Sequence, residues 1–234
     1  MPALRVGLLL FPRMTQLDLT GPYEVFAKLP GTEVLLLWKT LQPVEAETGL
    51  RLLPHATLRD CPPLDVLCVP GGPGVAALMQ DAEVLDWLRA RAAEVRFMSS
   101  VCTGALVLGA AGLLRGKRAT SHWASRDFLP AFGALPAPGR VVRDGNLFTG
   151  GGVTAGIDFA LTMVAELAGD AAAQAIQLQI EYAPAPPFDA GAPERAPPEV
   201  LAAVRASGAA MRAARAALVA TLTSPAAAGE VEVR

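Results

Sequence analysis

The residues best placed to do chemistry are a cysteine, an aspartate and a threonine. Cys102 stands in Ser100-Val101-Cys102-Thr103-Gly104-Ala105, directly after an apolar strand pattern and directly before an apolar helix pattern. A sharp strand–turn–helix junction exposes the residue at its bend, and the helix N-terminus beyond it favours negative charge. Both effects lower a thiol pKa and favour the thiolate, the reactive form. Most free cysteines are simply buried packing, but this junction favours a nucleophile. Cys68 is the internal contrast: it lies mid-strand in Val66-Leu67-Cys68-Val69 and reads as core. Cys61 precedes Pro62-Pro63 and falls in a linker.

Asp18 follows the first strand pattern in Gln16-Leu17-Asp18-Leu19-Thr20-Gly21-Pro22. A carboxyl buried there would have a raised pKa and could move protons near neutral pH. The competing role is helix capping, since Thr15-x-x-Asp18 has the form of a capping box with Asp in place of Glu. On the residues alone, capping is the stronger reading. Thr103 adds a hydroxyl and the first N–H of the elbow helix. Gly71-Gly72-Pro73-Gly74 matches neither GxGxxG nor a phosphate loop. It reads as a tight strand–helix turn, and its bare N–H groups, Gly72 among them, could also form an oxyanion pocket beside Cys102. His122, in Ser121-His122-Trp123, could activate a thiol as a Cys–His pair. A structural hydrogen-bonding role is favoured for it, given the many non-catalytic uses of imidazole. Three scattered cysteines and two histidines form neither a disulfide framework nor a zinc motif.

These residues need a scaffold that brings strand ends together. Leu4 to Leu10, Glu33 to Trp38, Asp65 to Val69 and Arg96 to Val101 read as buried strands. Val44 to Ala46 and Leu50 to Leu53 read as short edge strands, and Ala119 to His122 as another short strand. Leu17 to Leu29 mixes loop and helix. Helical patterns follow from Val75, through Val84, Leu85, Leu88 and Ala92, and over Ala105 to Leu114, Thr154 to Leu167 and Ala171 to Ile180. Asp144-Gly145 between Arg140–Val142 and Asn146–Thr149 is a hairpin signal. Gly150-Gly151-Gly152 is a permissive hinge before the next helix, and that helix is expected to shift on covalent modification of Cys102 if its N-terminus lies near the cysteine. Residues 183–198 are rich in Pro and Ala and read as an irregular connection, and the last 35 or so residues read as an Ala-rich helix with a frayed tail. Strands alternating with helices predict an α/β fold with a mostly parallel sheet and helices on both faces. Ligands in such folds bind beyond the carboxyl ends of the strands. One domain over 1–190 is expected, with 191–234 an appended helix and tail rather than a second domain.

Composition narrows the classes. Of the 234 residues, 52% are hydrophobic and 18% charged, which excludes disorder over most of the chain. Twenty basic against 22 acidic residues leave a net charge of −2, with no basic excess to meet nucleic acid or an anionic membrane. No apolar run approaches the ~20 residues of a membrane span. Val6 to Phe11 faintly resembles a secretory core, but Pro12-Arg13 closes it and no small-residue cleavage site follows. A reducing cytoplasm is the expected setting.

Together the motifs resemble the DJ-1/PfpI superfamily. The resemblance is carried by Leu17-Asp18-Leu19-Thr20-Gly21-Pro22, Val69-Pro70-Gly71-Gly72-Pro73-Gly74, Ser100-Val101-Cys102-Thr103-Gly104, Lys117-Arg118-Ala119-Thr120-Ser121-His122-Trp123 and Asp144-Gly145-Asn146-Leu147-Phe148-Thr149-Gly150-Gly151-Gly152. It covers about residues 4–188. Within the superfamily the Cys102-to-Trp123 stretch and the segment Glu181-Tyr182-Ala183-Pro184-Ala185-Pro186-Pro187-Phe188 are similar to the bacterial isocyanide hydratases.

The resemblance implies a flavodoxin-like fold of the class I glutamine amidotransferase type, a homodimer, and no cofactor or metal. It implies that Cys102 is the nucleophile, Asp18 its carboxyl partner and Thr103 the residue beside it, with Gly72 a candidate oxyanion donor. It thereby overrides the capping preference for Asp18. Protease-like members carry a histidine where this chain has Thr103, which argues against peptidase chemistry. DJ-1-like members usually carry a glutamate where this chain has Asp18, which favours the hydratase branch. The implied reaction is hydration of a small-molecule isocyanide to an N-substituted formamide through a covalent cysteine thioimidate. The alternatives are a glyoxalase-type enzyme acting on 2-oxoaldehydes and a non-enzymatic cysteine redox sensor. Transcription regulators share the domain but add a pair of helix-turn-helix motifs, for which about 45 residues after Phe188 are too few.

Overall fold

The computed structural model describes residues 4–224. In chain order the elements are β1 (Leu4–Leu9), α1 (Gln16–Ala27), β2 (Thr32–Trp38), β3 (Val44–Glu45), β4 (Arg51–Leu52), β5 (Ala56–Thr57), β6 (Val66–Val69), α2 (Val75–Leu78), α3 (Ala82–Ala92), β7 (Phe97–Val101), α4 (Gly104–Ala110) and β8 (Arg118–Ala119). A 3-10 segment (Arg126–Phe132) follows, then β9 (Leu135–Pro136), β10 (Val141–Asp144), β11 (Leu147–Gly150), α5 (Ala155–Ala168), α6 (Asp170–Gln179) and α7 (Pro198–Leu222).

Seven strands form the central sheet in the order β10-β11-β7-β6-β1-β2-β5. Every pairing is parallel except the β10–β11 hairpin. This is the expected α/β architecture, and burial explains it. Val66, Leu67, Cys68 and Val69 are all fully buried, as are Val6, Leu8 and Leu9. A strand apolar on both sides needs cover on both faces, which parallel crossovers supply. Helices α1 and α5 meet on one face, where the Phe26 and Phe159 rings pack edge to face at 6.3 Å. The Phe97 and Phe148 rings cross β7 and β11 at 5.2 Å. The centre of the sheet is β7-β6-β1, and the ends of these three strands carry the candidate residues.

Three expectations need adjustment. The helix expected over Ala105 to Leu114 ends at Ala110, because the chain turns at Gly112 with φ +79°. The strand expected over Ala119 to His122 shrinks to Arg118–Ala119. There Thr120 N–H donates to the Thr149 hydroxyl and the Ser121 hydroxyl donates to Cys102 O, so side-chain bonds replace a strand ladder. Leu17 to Ala27 lies in one helix, α1, rather than a mixture of loop and helix, and only Lys28 and Leu29 fall beyond it. The Ala-rich C-terminal helix is present as α7 and lies against the 3-10 segment, with Val219 buried in the core. The tail read beyond it falls on 225–234, outside the described residues.

Candidate active site

The site is assembled by the ends of three adjacent strands. Cys102 is the first residue past β7, Gly71 and Gly72 follow β6, and Asp18 sits in the first turn of α1, which the loop after β1 delivers. Cys102 has φ +57°, a left-handed conformation that costs a residue with a side chain about 1–3 kcal/mol unless its surroundings hold it. They do: its N–H donates to Gly151 O at 2.8 Å and to Gly150 O at 3.1 Å, and its carbonyl accepts from Ser121 Oγ at 2.9 Å. The elbow therefore presses Cys102 against the triple-glycine segment that precedes α5. Gly104 lets the elbow helix start against β6, since a Cβ there would strike Val69 O.

Gly71 is the joint between the three parts. A Cβ there would lie 2.5 Å from Thr103 N, 2.6 Å from Thr103 Oγ1 and 2.9 Å from Asp18 Oδ2. Only glycine leaves room for its neighbours to close around it. Its own N–H donates to Asp18 Oδ2 at 2.8 Å. Asp18 is fully buried, and its other oxygen, Oδ1, has no hydrogen-bond partner among the described residues. Capping is thus not its role: Thr15 N–H donates to Gly71 O instead, and the Thr15 hydroxyl donates to Glu47. Burial pushes the Asp18 pKa up to about 7, opposed by the Gly71 N–H and the Cys102 thiol, with Glu47 adding a small further rise.

The state of Cys102 differs from the expected thiolate. The side chain is only 5% exposed. Burial, then the Asp18 charge, pushes the thiol well above its ordinary value, while the Thr103 N–H and hydroxyl pull it down. The elbow's favourable field is real but smaller than the cost of desolvating sulfur. The resting sulfur is therefore a thiol, beside a carboxyl that titrates near neutrality.

Thr103 and Gly72 are brought together, but not in the arrangement expected. Gly72 N–H donates to Thr103 Oγ1 at 2.9 Å, so it is not a free oxyanion donor here. It orients the Thr103 hydroxyl, which lies beside the sulfur. His122 lines the same cavity. Burial and then the nearby Arg215 charge lower its pKa, so it is neutral at neutral pH. Its Nδ1 accepts from Ala124 N–H at 3.3 Å, a structural contact within its own turn. No group of three or more His, Cys, Asp or Glu capable of holding a metal occurs among the described residues.

Over Cys102 lies a cavity of about 880 Å³. Its floor is Cys102, Thr103 and Gly72, and its far wall is α7, through Val204, Met211 and Arg215. Helix α7 is anchored by Arg212, which pairs with Asp127 and stacks over Phe128 at 4.8 Å. Arg215 Nη1 donates to Ser125 Oγ at 2.9 Å. Sequence reasoning missed this wall. The spacing of Arg212 and Arg215 places both on one helix face, which was the available signal.

Known proteins share this fold. The family model described as DJ-1/PfpI family matches residues 4–166. The chain belongs to the DJ-1/PfpI family. It is 63% identical over 199 residues to the isonitrile hydratase of Pseudomonas putida, covering 85% of this chain and 87% of that one. The crystal structure of a ThiJ/PfpI family protein from Pseudomonas syringae superposes with a TM-score of 0.91 at 46% identity, covering 94% of this chain and 91% of that one. The glutathione-independent glyoxalase DJR-1.2 of Caenorhabditis elegans is 28% identical over 141 residues, 59% of this chain and 75% of its own.

Proposed function

We propose that this protein is an isocyanide hydratase, a member of the same class as the Pseudomonas putida relative. The observation that carries the chemistry is the buried Asp18–Cys102 pair, in which a carboxyl titrating at about 7 faces a thiol pushed well above its ordinary range. Such a pair holds one mobile proton and needs no histidine.

The steps follow from that proton. Asp18 as carboxylate takes the thiol proton while the sulfur attacks the terminal isocyanide carbon, forming the C–S bond. Asp18, now an acid, returns the proton to that carbon, giving the thioimidate Cys102–S–CH=N–R. The unpartnered Oδ1 is the oxygen free to carry it. Water then adds to the thioimidate carbon, with Asp18 accepting its proton and the nitrogen being protonated in turn. The C–S bond breaks, the sulfur recovers its proton, and R–NH–CHO leaves. The sum is one isocyanide plus one water to one formamide. Thr103 positions its N–H and hydroxyl to stabilise negative charge on the sulfur during attack, and Gly72 holds that hydroxyl in place.

The same reading takes 1–190 and α7 as one folding unit, and the protein as a cytoplasmic homodimer. Among the described residues no helix is long and apolar enough to cross a membrane. Incubation with a simple aryl isocyanide is expected to give the aryl formamide, with no lactate formed from methylglyoxal. Lactate without formamide would transfer the site to 2-oxoaldehyde chemistry. Oxidation of Cys102 by stoichiometric peroxide, with neither product, would point to a redox sensor.

A further inference from the structure

The α7 wall carries a buried cation that the hydration steps do not use. Arg215 is 8% exposed. One end of its guanidinium is fixed, Nη1 donating to Ser125 Oγ at 2.9 Å, and its Nε is buried with no hydrogen-bond partner among the described residues. No carboxylate among the described residues pairs with it. Arg212, one turn earlier, is the contrast: it is exposed and fully engaged by Asp127. A guanidinium taken out of water without a counter-charge is strongly disfavoured, and the loss is recovered when an anion meets it.

The surroundings say which anion and from where. Arg215 lines the cavity that ends at Cys102. It lies near enough that its charge lowers the pKa of His122. The other carboxylates lining the cavity are already occupied, Glu47 by the Thr15 hydroxyl and Asp127 by Arg212. With Nη1 held by Ser125 and Nε enclosed by the protein, Nη2 is the donor left with accessible surface, and it can meet one oxygen of a carboxylate in a charge-assisted hydrogen bond. The cavity of about 880 Å³ is far larger than an isocyanide group alone requires.

We propose that the preferred substrates are isocyanides whose substituent ends in a carboxylate, held by Arg215 and Ser125 while the isocyanide carbon reaches Cys102. This rests on the hydratase reading and names its substrate class. Arg215 is then a specificity residue that touches substrate without joining the proton transfers.

The test compares 4-isocyanobenzoate with its neutral analogue 4-isocyanobenzamide. Wild type is expected to favour the benzoate in kcat/KM by about 10–100-fold, the range of a hydrogen bond to a charged group. Arg215→Met is expected to bring that ratio close to one, mainly through KM for the benzoate, and Arg215→Lys to keep part of it. A wild-type ratio near one, or equal loss on both substrates in Arg215→Met, overturns the proposal. Hydration of neither compound by wild type removes the hydratase reading and this proposal with it, whereas hydration of the amide alone removes only this one. A second measurement needs no variant: benzoate, and not benzamide, is expected to slow iodoacetamide labelling of Cys102 in wild type. Equal protection by both, or by neither, counts against an anion subsite.

Discussion

Cys68 and Cys102 lie on neighbouring strands of one sheet, and burial hardly distinguishes them. Cys68 is 0% exposed and Cys102 5%. Desolvation pushes both thiols up, Cys68 to about 12, and both feel the Asp18 charge. The difference lies in where each stands relative to its strand end. Cys68 is in register with Leu8 and Ser99 inside the sheet, with ordinary extended backbone and no opening above it. Cys102 is one residue beyond the register, at φ +57°, with Thr103 beside it and the cavity over it. On the proposed reading, a raised thiol pKa does not mark a cysteine as inert. What would mark the working cysteine is a partner that can take its proton and a space in which a substrate carbon can approach.

The largest expected effect breaks the comparison outright. Cys102→Ala is expected to lower formamide formation by more than about 10³-fold while the protein still folds, because the bond-forming atom is gone. Formamide release in a discontinuous assay, with far-ultraviolet circular dichroism as the folding control, checks it. Retention of the wild-type rate would refute the nucleophile. Next comes Asp18→Asn, expected to slow turnover by about 10²–10⁴-fold, the usual range for a positioned acid–base group. Labelling of Cys102 by iodoacetamide is expected to survive in this variant. Asparagine removes the proton acceptor, but it also removes the negative charge that pushes the thiol up. Normal turnover in Asp18→Asn would sink the shared-proton mechanism.

Much of this was legible in the chain. The continuous apolar runs at Leu4 to Leu10 and Asp65 to Val69 identify strands buried on both faces, and the strand–helix junction singles out Cys102. Asp18 was the harder residue. Thr15-x-x-Asp18 satisfies a local capping rule, and what defeats that rule is the Gly71 N–H, 53 residues away in sequence. That donor becomes a neighbour only because β6 pairs directly with β1. The thiol's state was illegible for a similar reason. An elbow lowers a pKa by local geometry, while desolvation depends on everything packed around it, including Thr103, Gly71 and the cavity walls. Arg215 is plain in the sequence as an arginine in an Ala-rich helix. Its burial depends on α7 docking against Ala124–Asp127, a long-range contact that no local pattern encodes.

The carboxyl supplies an effect of intermediate size, read as stability against pH. The Asp18 pKa in the fold, about 7, is raised above its ordinary 3.8, so the fold favours the protonated form. Its stabilising share is whole below about pH 4 and is lost as pH rises through 7. The full swing is roughly 4 kcal/mol. Asp18→Asn has no charge to bury, so it is expected to melt above wild type at pH 8, by several degrees more than at pH 5. Thermal melts of both proteins at the two pH values check this. A gap that stays constant, or narrows with rising pH, would mean that Asp18 is not buried as a proton-holding group. The same titration is expected to give wild-type kcat/KM a rising limb near pH 7, because the carboxylate is the form that accepts the thiol proton.

The smallest expected effect sharpens the comparison from its other side. Cys68→Ala removes one buried sulfur from the strand interior and leaves a small void, at a cost of about 1 kcal/mol. Its neighbours in the sheet have other ties: Ser99 Oγ donates to Leu67 O at 2.9 Å, and the β6 ladder to β1 and β7 uses backbone groups that the substitution leaves in place. Turnover and Cys102 labelling are therefore expected within twofold of wild type, with a melting temperature lower by a few degrees. Mass spectrometry of the iodoacetamide-treated native protein is expected to find Cys102 modified and Cys68 untouched. If Cys68→Ala instead lost activity in step with Cys102→Ala, the contrast between a strand's interior and its end would not be what selects the reactive thiol. The sheet would then have to transmit the change from β6 to the Gly71 turn, and the Gly71–Asp18 contact would be the place to look for it.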